Sequence, residues 1–253
     1  MKRFENKHAV VTGGASGIGR AIAERLAEEG AEVHIFDRDA VAAASVVTAI
    51  ESAGGQARAH EVDVASSASV AMAVASIDRI DVMVNSAGVA AIGKLETTTT
   101  EDMDRVFSVN VKGVYHCMQE AMPRLRLSKS GVILNLASIA SHVGIEDRFA
   151  YSMSKGAVFS MTLSVARDYL DAGVRCNCIS PARVHTPFVD SYLDRNYPEN
   201  RQEMLDQLAA FQPIGRMGTP AEIAGLAAYL CSDEASFVTG VAYSIDGGVM
   251  NLR

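Results

Sequence analysis

The chain has 253 residues, of which 49% are hydrophobic and 21% charged, with a net charge of −7; it can bury a sizeable core and is not disordered. The acidic balance, with no basic run longer than two residues, argues against a nucleic-acid partner, and no apolar run reaches the ~18 residues of a transmembrane helix. The N-terminal "MKRFENKHAVVTGG" has neither an apolar h-region nor a small-residue cleavage site, so no secretory signal is expected and a cytoplasmic location fits.

Strand and helix alternate along the whole length. The apolar run 8–13 stops at a glycine, and a helical stretch, 17–30, closes on Gly30. Strand 31–37, helix 40–55, strand 57–63 and a short helix at 66–77 follow. Strand 81–88, a long helix at 101–127, strand 131–138, helix 151–171 and strand 174–181 come next. Helix 220–232 and strand 241–246 end the series. Strands such as "DVMVN" and "GVILNL" are apolar on both faces, the pattern of a parallel sheet covered by helices on each side. Strict alternation predicts an α/β fold: a single-domain, doubly wound parallel sheet of Rossmann type over 1–253. Residues 190–203, "DSYLDRNYPENRQE", carry no apolar periodicity. They mark an insertion at about 186–212 that covers a site. Cys176 and Cys178 alternate with Asn177 and share one face of a strand. With Cys117 and Cys231 they read as small buried thiols. No Cys/His cluster has zinc spacing, so no metal is expected.

Gly13, Gly17 and Gly19 lie between the first strand and first helix. Glycine allows the turn's backbone angles and close approach of a pyrophosphate, and the helix N-terminus offers free N–H groups to it. The spacing is G-x3-G-x-G. Asp37 ends the second strand, 18 residues after Gly19. A carboxylate there accepts hydrogen bonds from ribose hydroxyls and repels the extra phosphate of NADP, which favours NAD. Arg38 pulls the other way. Asp39 can cap the next helix and so free Asp37. Further on, Tyr151 and Lys155 are four apart and share a helix face. An ammonium beside a phenol lowers its pKa toward a useful proton acceptor. Taken alone, the pair reads more readily as helix surface.

The ordered set "TGGASGIG", Asp63-Val64, "NSAG", Asn110 in "SVNVKG", Ser138 in "NLAS", "YSMSK", "SPARVHTP" and "IDGG" resembles the short-chain dehydrogenase/reductase family over essentially the whole chain. The resemblance implies a nicotinamide cofactor, taken as NAD. It would be held by Gly13, Ser16, Gly17, Ile18, Gly19, Asp37, Asp63, Val64, Asn85, Ala87, Gly88, Tyr151, Lys155, Pro181, Ala182, Val184 and Thr186. It implies Ser138 holding the substrate oxygen, Tyr151 as acid/base, Lys155 on the nicotinamide ribose and Asn110 anchoring a water that links Lys155 to solvent. Ser86 and Ala182 stand where the family has Asn and Gly, which touches local backbone geometry.

For the substrate, Ser138, Arg148, Tyr151, Arg183 and His185 are the candidates, with Arg201 further off. A guanidinium at Arg148 can meet a carboxylate bidentately, or it can pair with Glu146 or Asp147 at the surface. The resemblance is closest to the branch acting on hydroxy acids and 2-keto-3-deoxy sugar acids, of L-fuconate type. Other readings are a 3-oxoacyl-carrier-protein reductase, with Arg124, Arg126 and Lys129 as a docking patch, a short-chain hydroxy acid dehydrogenase, and a dinucleotide-binding sensor or scaffold. Asp37 and the net charge disfavour the reductase; the intact Tyr151 and Lys155 disfavour the sensor. The family is mostly tetrameric, so a homotetramer paired through 101–127, 151–171 and the last strand is implied, with Val106, Phe107, Val114 and Met118 as apolar candidates.

Overall fold

A computed structural model describes residues 2–252. Seven parallel strands form one sheet: β1 (His8–Thr12), β2 (Glu32–Asp37), β3 (Gln56–Glu61), β4 (Val82–Asn85), β5 (Val132–Leu136), β6 (Arg175–Pro181) and β7 (Ala242–Ile245). Their spatial order is β3-β2-β1-β4-β5-β6-β7. The order reverses direction at β1, so the carboxyl ends of β1 and β4 border the crevice where ligands bind in such sheets.

Alternation along each strand feeds two cores. Ala9, Val11, Val33, Ile35, Val82, Val84, Val132 and Leu134 pack on one face, against Ile22 and Leu26 of α1 (Gly17–Glu28), Val46 of α2 (Ala40–Ser52) and residues of the C-terminal helix. Val10, Phe36, Met83, Ile133, Cys176 and Cys178 point the other way. They meet Val70 of α3 (Ser67–Ala75), and later helices. Each fully buried Ile or Leu contributes about 1.5–3 kcal/mol relative to exposure, so both faces are held by side chains that strand period alone selects. All four cysteines are free and buried.

The segment expected as one helix over 101–127 is interrupted. α4 (Thr100–Val106), capped by the Thr99 side chain, runs into a π-helical stretch, Phe107–Lys112, before α5 (Gly113–Leu127). Such bulges are rare and often sit at functional sites; this one contains Asn110. Val106, Val114 and Met118 are core residues, whereas Phe107 is 39% exposed. α6 (Phe149–Asp168) follows β5.

The polar stretch after β6 is helical: α7 (Pro187–Asn196) and α8 (Arg201–Ala210). Thr186 before Pro187 is a helix-start signal that the lack of periodicity in 190–203 masks. The last helix, α9 (Pro220–Cys231), starts from a capping box made by Thr219 and Glu222. Among the described residues, no helix is long and apolar enough to cross a membrane.

Candidate active site

A cleft of about 590 Å³ opens over the carboxyl ends of the strands. At its β1 end, Gly13 has φ +64° and Gly17 φ +53°. A Cβ on Gly13 would lie 2.9 Å from Ala87 Cα, and one on Gly19 would collide with the Gly13 carbonyl oxygen. Only glycine fits these positions, and the loop backbone is left bare to the cleft. Ser16 precedes α1 without a side-chain cap, and the first turn of that helix holds no acid. Its free N–H groups and positive dipole end suit an anionic ligand. A dinucleotide pyrophosphate fits this cradle. Ser16, Gly17, Ile18 and Gly19 all line the cleft.

Asp37 lies at the next strand end. Its Oδ2 accepts from Ala15 N–H at 3.1 Å and its Oδ1 from Asp39 N–H at 3.1 Å. Asp39 does cap α2, accepting from Ala42 N–H. Asp37 is thus spared the capping role but is tied to the glycine loop, with Arg38 beside it in the wall. Asp63 and Val64 complete this end. Asp63 accepts from Ala65 N–H at 3.0 Å, and Val64 is buried.

The middle of the cleft brings together Ser138, Tyr151 and Lys155. β5 delivers Ser138 just past its end; α6 places Tyr151 and Lys155 one turn apart on its cleft face. Ser138 stands beside the Tyr151 phenol and favours its charged form, and it accepts from Ala140 N–H at 3.2 Å. Lys155 Nζ donates to the Leu136 carbonyl at 2.6 Å and lies 5.7 Å from the Tyr151 ring centre. Burial pushes the Lys155 ammonium down to about 8. Burial also raises Tyr151 above the usual phenol value, against the lowering influence of the Ser138 hydrogen bond and the Arg148 charge. Lys155, expected to depress Tyr151, is not among the groups that lower it, and desolvation outweighs those that do.

Asn110 is fully buried. Its Oδ1 accepts from Val89 N–H at 2.8 Å, and its Nδ2 donates to Val89 O at 2.9 Å and Ser154 Oγ at 3.0 Å. Ser154 Oγ donates in turn to the Tyr151 carbonyl at 2.7 Å. Both amide N–H groups are engaged, which leaves one Oδ1 lone pair. Asn110 therefore clamps the "NSAG" segment to α6.

Within that segment, Ala87 and Gly88 line the cleft. Asn85 does not: it is buried in the sheet and donates to Asn135 Oδ1 at 2.8 Å. The N–H groups of Ser86 and Ala87 both donate to Thr12 Oγ1 at 3.0 Å, which fixes the turn. Pro181, Ala182, Arg183, Val184 and Thr186 all face the cleft. The Arg183 guanidinium stands 4.9 Å from the Phe211 ring centre. His185 is turned outward: its ring is 45% exposed and meets Asp190 at 3.0 Å, away from the residues lining the cleft. Arg201 is likewise bound to Asp190 and Asp194. Arg148 lines the cleft and donates to the Asp147 carbonyl. Among the described residues it makes no ion pair with Glu146 or Asp147. Arg124 of the suspected docking patch donates to the Ile77 carbonyl.

The far wall comes from residues that sequence reasoning passed over. Phe188 and Val189 of α7, Leu208 of α8 and Phe211 beyond it make an apolar cover, with Met217 and Ile145 nearby. The i, i+3 spacing of Leu208 and Phe211 was the available signal.

A family profile described as enoyl-(acyl carrier protein) reductase matches residues 13–250. The chain is 39% identical over 249 residues to dehydrogenase/reductase SDR family member 6 of Aquarana catesbeiana, spanning 98% of this chain and 99% of that protein. Levodione reductase superposes with a TM-score of 0.92 at 32% identity, over 97% of this chain and 98% of that one. The aldohexose dehydrogenase of Thermoplasma acidophilum does so with a TM-score of 0.87 at 31% identity, over 98% and 95%.

Proposed function

The chain belongs to the short-chain dehydrogenase/reductase family, and we propose that within it the protein is an NAD-dependent enzyme that interconverts a secondary alcohol and a ketone on a sugar acid or related hydroxy acid. The observation that carries this reading is the convergence of Ser138, Tyr151, Lys155 and the cation Arg148 in the cleft that begins at the glycine loop.

Bound along the glycine loop, Asp37, Asp63 and the 181–186 segment, NAD supplies the hydride acceptor, and its reduced form the donor in reverse. The chain's own residues handle the oxygen and its proton. Ser138 Oγ and Tyr151 Oη hydrogen bond the alcohol oxygen, and Tyr151 takes the hydroxyl proton as the carbonyl forms. Lys155 holds the ribose hydroxyls and supplies positive charge that favours the phenolate in oxidation. Val189, Leu208 and Phe211 exclude water from the reacting carbon. Arg148 receives the substrate carboxylate, which orients the molecule across Ser138 and Tyr151.

Asp37 supports NAD over NADP, and it counts against the carrier-protein reductase reading. A cytoplasmic homotetramer completes the proposal. Phe107, Tyr115, Leu163 and Phe237 are large apolar side chains left exposed, and light scattering on the purified protein reads the assembly directly.

The test is a panel of sugar acids, neutral sugars and short hydroxy acids with NAD, followed by NADH absorbance, on wild type and Tyr151→Phe. Turnover is expected on carboxylate-bearing substrates, with a loss of at least about 100-fold in kcat in the variant and NAD affinity kept. Turnover by Tyr151→Phe within a few-fold of wild type would sink the acid/base assignment.

A further inference from the structure

At the opposite end of the sheet from the cleft, the amino ends of β1 and β2 bring together three ligand-type side chains. His8 pairs in register with Glu32, and Val10 with His34. By strand alternation His8, Glu32 and His34 project from the face that also carries Val10 and Phe36. His8 Nδ1 lies 3.9 Å from Glu32 Oε2, and His34 Nε2 lies 3.9 Å from Glu32 Oε1. One ligand atom from each of the three falls within 4.8 Å of the others. His34 is 4% exposed, and its Nε2 is buried with no hydrogen-bond partner, a state that costs about 1–3 kcal/mol unless something fills it.

We propose that His8, Glu32 and His34 form a binding site for one divalent transition-metal ion of the zinc class, with water in the fourth position. Two imidazoles and a carboxylate are a common zinc set. Zinc-bound N and O atoms at about 2.0–2.2 Å stand about 3.3–3.5 Å apart in a tetrahedron, so the two 3.9 Å gaps to Glu32 close by about half an ångström and the widest pair, within 4.8 Å, by up to about 1.4 Å. The ring on β3 fixes the tautomer. His34 Nδ1 is 3.1 Å from His60 Nε2; donation of the Nδ1 proton to His60 leaves the Nε2 lone pair for the metal, the arrangement that orients metal-binding histidines elsewhere. His8 and Glu32 keep 31% and 20% of their side chains exposed, which provides the entry path.

Arg58 is the competing cation. Its Nε lies 2.9 Å from Glu32 Oε1 on a side chain that is 69% exposed. An exposed guanidinium gains little from one ion pair, so zinc displaces it. β2 runs roughly 16 Å from this site to Asp37 at ~3.3 Å per residue. The ion therefore acts on the stability of β1 and β2 rather than on hydride transfer. Sequence spacing hides the site, because sheet register joins positions 24 apart.

The test uses the tag-free, full-length protein, stripped with chelator and desalted. Zn(II) is titrated by calorimetry, Co(II) by visible absorption, and thermal unfolding is followed with and without zinc. One equivalent per chain is expected, with tetrahedral cobalt bands and a Tm rise of roughly 5 °C or more at a zinc concentration about 100-fold above Kd. Glu32→Gln and His8→Gln, both at partly exposed positions, should each weaken binding at least about 10-fold. Arg58→Met should tighten it several-fold by removing the competitor. No stoichiometric binding in wild type overturns the proposal. So does binding that both Glu32→Gln and His8→Gln leave unchanged, or an Arg58→Met variant that binds more weakly.

Discussion

Asn110→Ala is the sharpest perturbation of the catalytic scaffold that leaves every reacting group in place. The substitution removes three hydrogen bonds, two to Val89 and one to Ser154. A buried bond contributes about 1 kcal/mol net, and an orphaned buried group costs about 1–3 kcal/mol. The Val89 N–H and carbonyl lose their partner, whereas Ser154 keeps its bond to the Tyr151 carbonyl. The expected loss is therefore about 3 kcal/mol, and at about 2–4 °C per kcal/mol for a chain of this size the Tm should fall roughly 6–12 °C. The same change frees the "NSAG" segment from α6, on which Tyr151 and Lys155 ride. A misplacement of about 1 Å there costs on the order of 100-fold in rate. Thermal unfolding and steady-state kinetics measure both quantities, and a KM for NAD that rises less than kcat falls identifies a positioning residue. A Tm within 2 °C of wild type together with unchanged kcat would refute the clamp. Asn110→Asp sharpens the comparison. It keeps the acceptor for Val89 N–H but turns a carboxylate oxygen toward the Val89 carbonyl and Ser154, so it should be no better than alanine.

Other expectations follow from the same geometry. Asp37→Ala should shift the NAD/NADP ratio of kcat/KM toward NADP by at least about 10-fold, one charge-assisted contact's worth; an unchanged ratio would assign discrimination to another group. Arg148→Met should raise KM for a carboxylate substrate about 10–100-fold and leave neutral alcohols nearly unaffected. It should also move the pH–rate profile upward, since Arg148 lowers Tyr151; equal effects on both substrate types would return Arg148 to a surface role. Stability should be nearly flat between pH 8 and 9 and fall steeply above. Lys155 is held at about 8 against 10.5 unfolded, so between those values the unfolded chain binds more protons, and Lys155 alone adds about 1 kcal/mol from pH 8 to 9. Cys117 and Cys231 are held up at about 12 and Cys178 at about 11, against 9.0 unfolded, and Cys176 is raised as well. The unfolded chain loses protons that the native thiols keep, at a cost of roughly 0.3–0.4 kcal/mol per thiol from pH 8 to 9 and about 1.4 kcal/mol per thiol per pH unit above, so the two effects offset each other up to about pH 9. Urea midpoints from pH 7 to 10.5 trace the profile, and Lys155→Met should turn the plateau into a fall that starts near pH 8. Midpoints that fall as far between pH 8 and 9 in wild type as in Lys155→Met would contradict the burial argument.

Strand period and helix period are local properties, so the alternation that builds the sheet, its two-sided burial and the register of Ser138, Tyr151 and Lys155 along the chain were all visible in one dimension. So was the glycine loop, because a positive φ and a close backbone approach restrict residue type wherever they occur. The π-helical turn at Asn110 left no trace, since one extra residue per turn over Phe107–Lys112 is decided by what the turn packs against. Side-chain direction was equally out of reach: His185 turns out to Asp190 and Asn85 turns into the sheet, although both sit in motifs that face the cleft. The segment expected as an insertion over a site was not expected as helices α7 and α8, because Phe188, Val189, Leu208 and Phe211 line the cleft and give no core-facing period. Tyr151 shows the division most plainly. Its spacing from Lys155 belongs to the sequence, but whether charge or desolvation governs its proton depends on how deeply the fold buries it. Burial is a property of the assembled molecule alone.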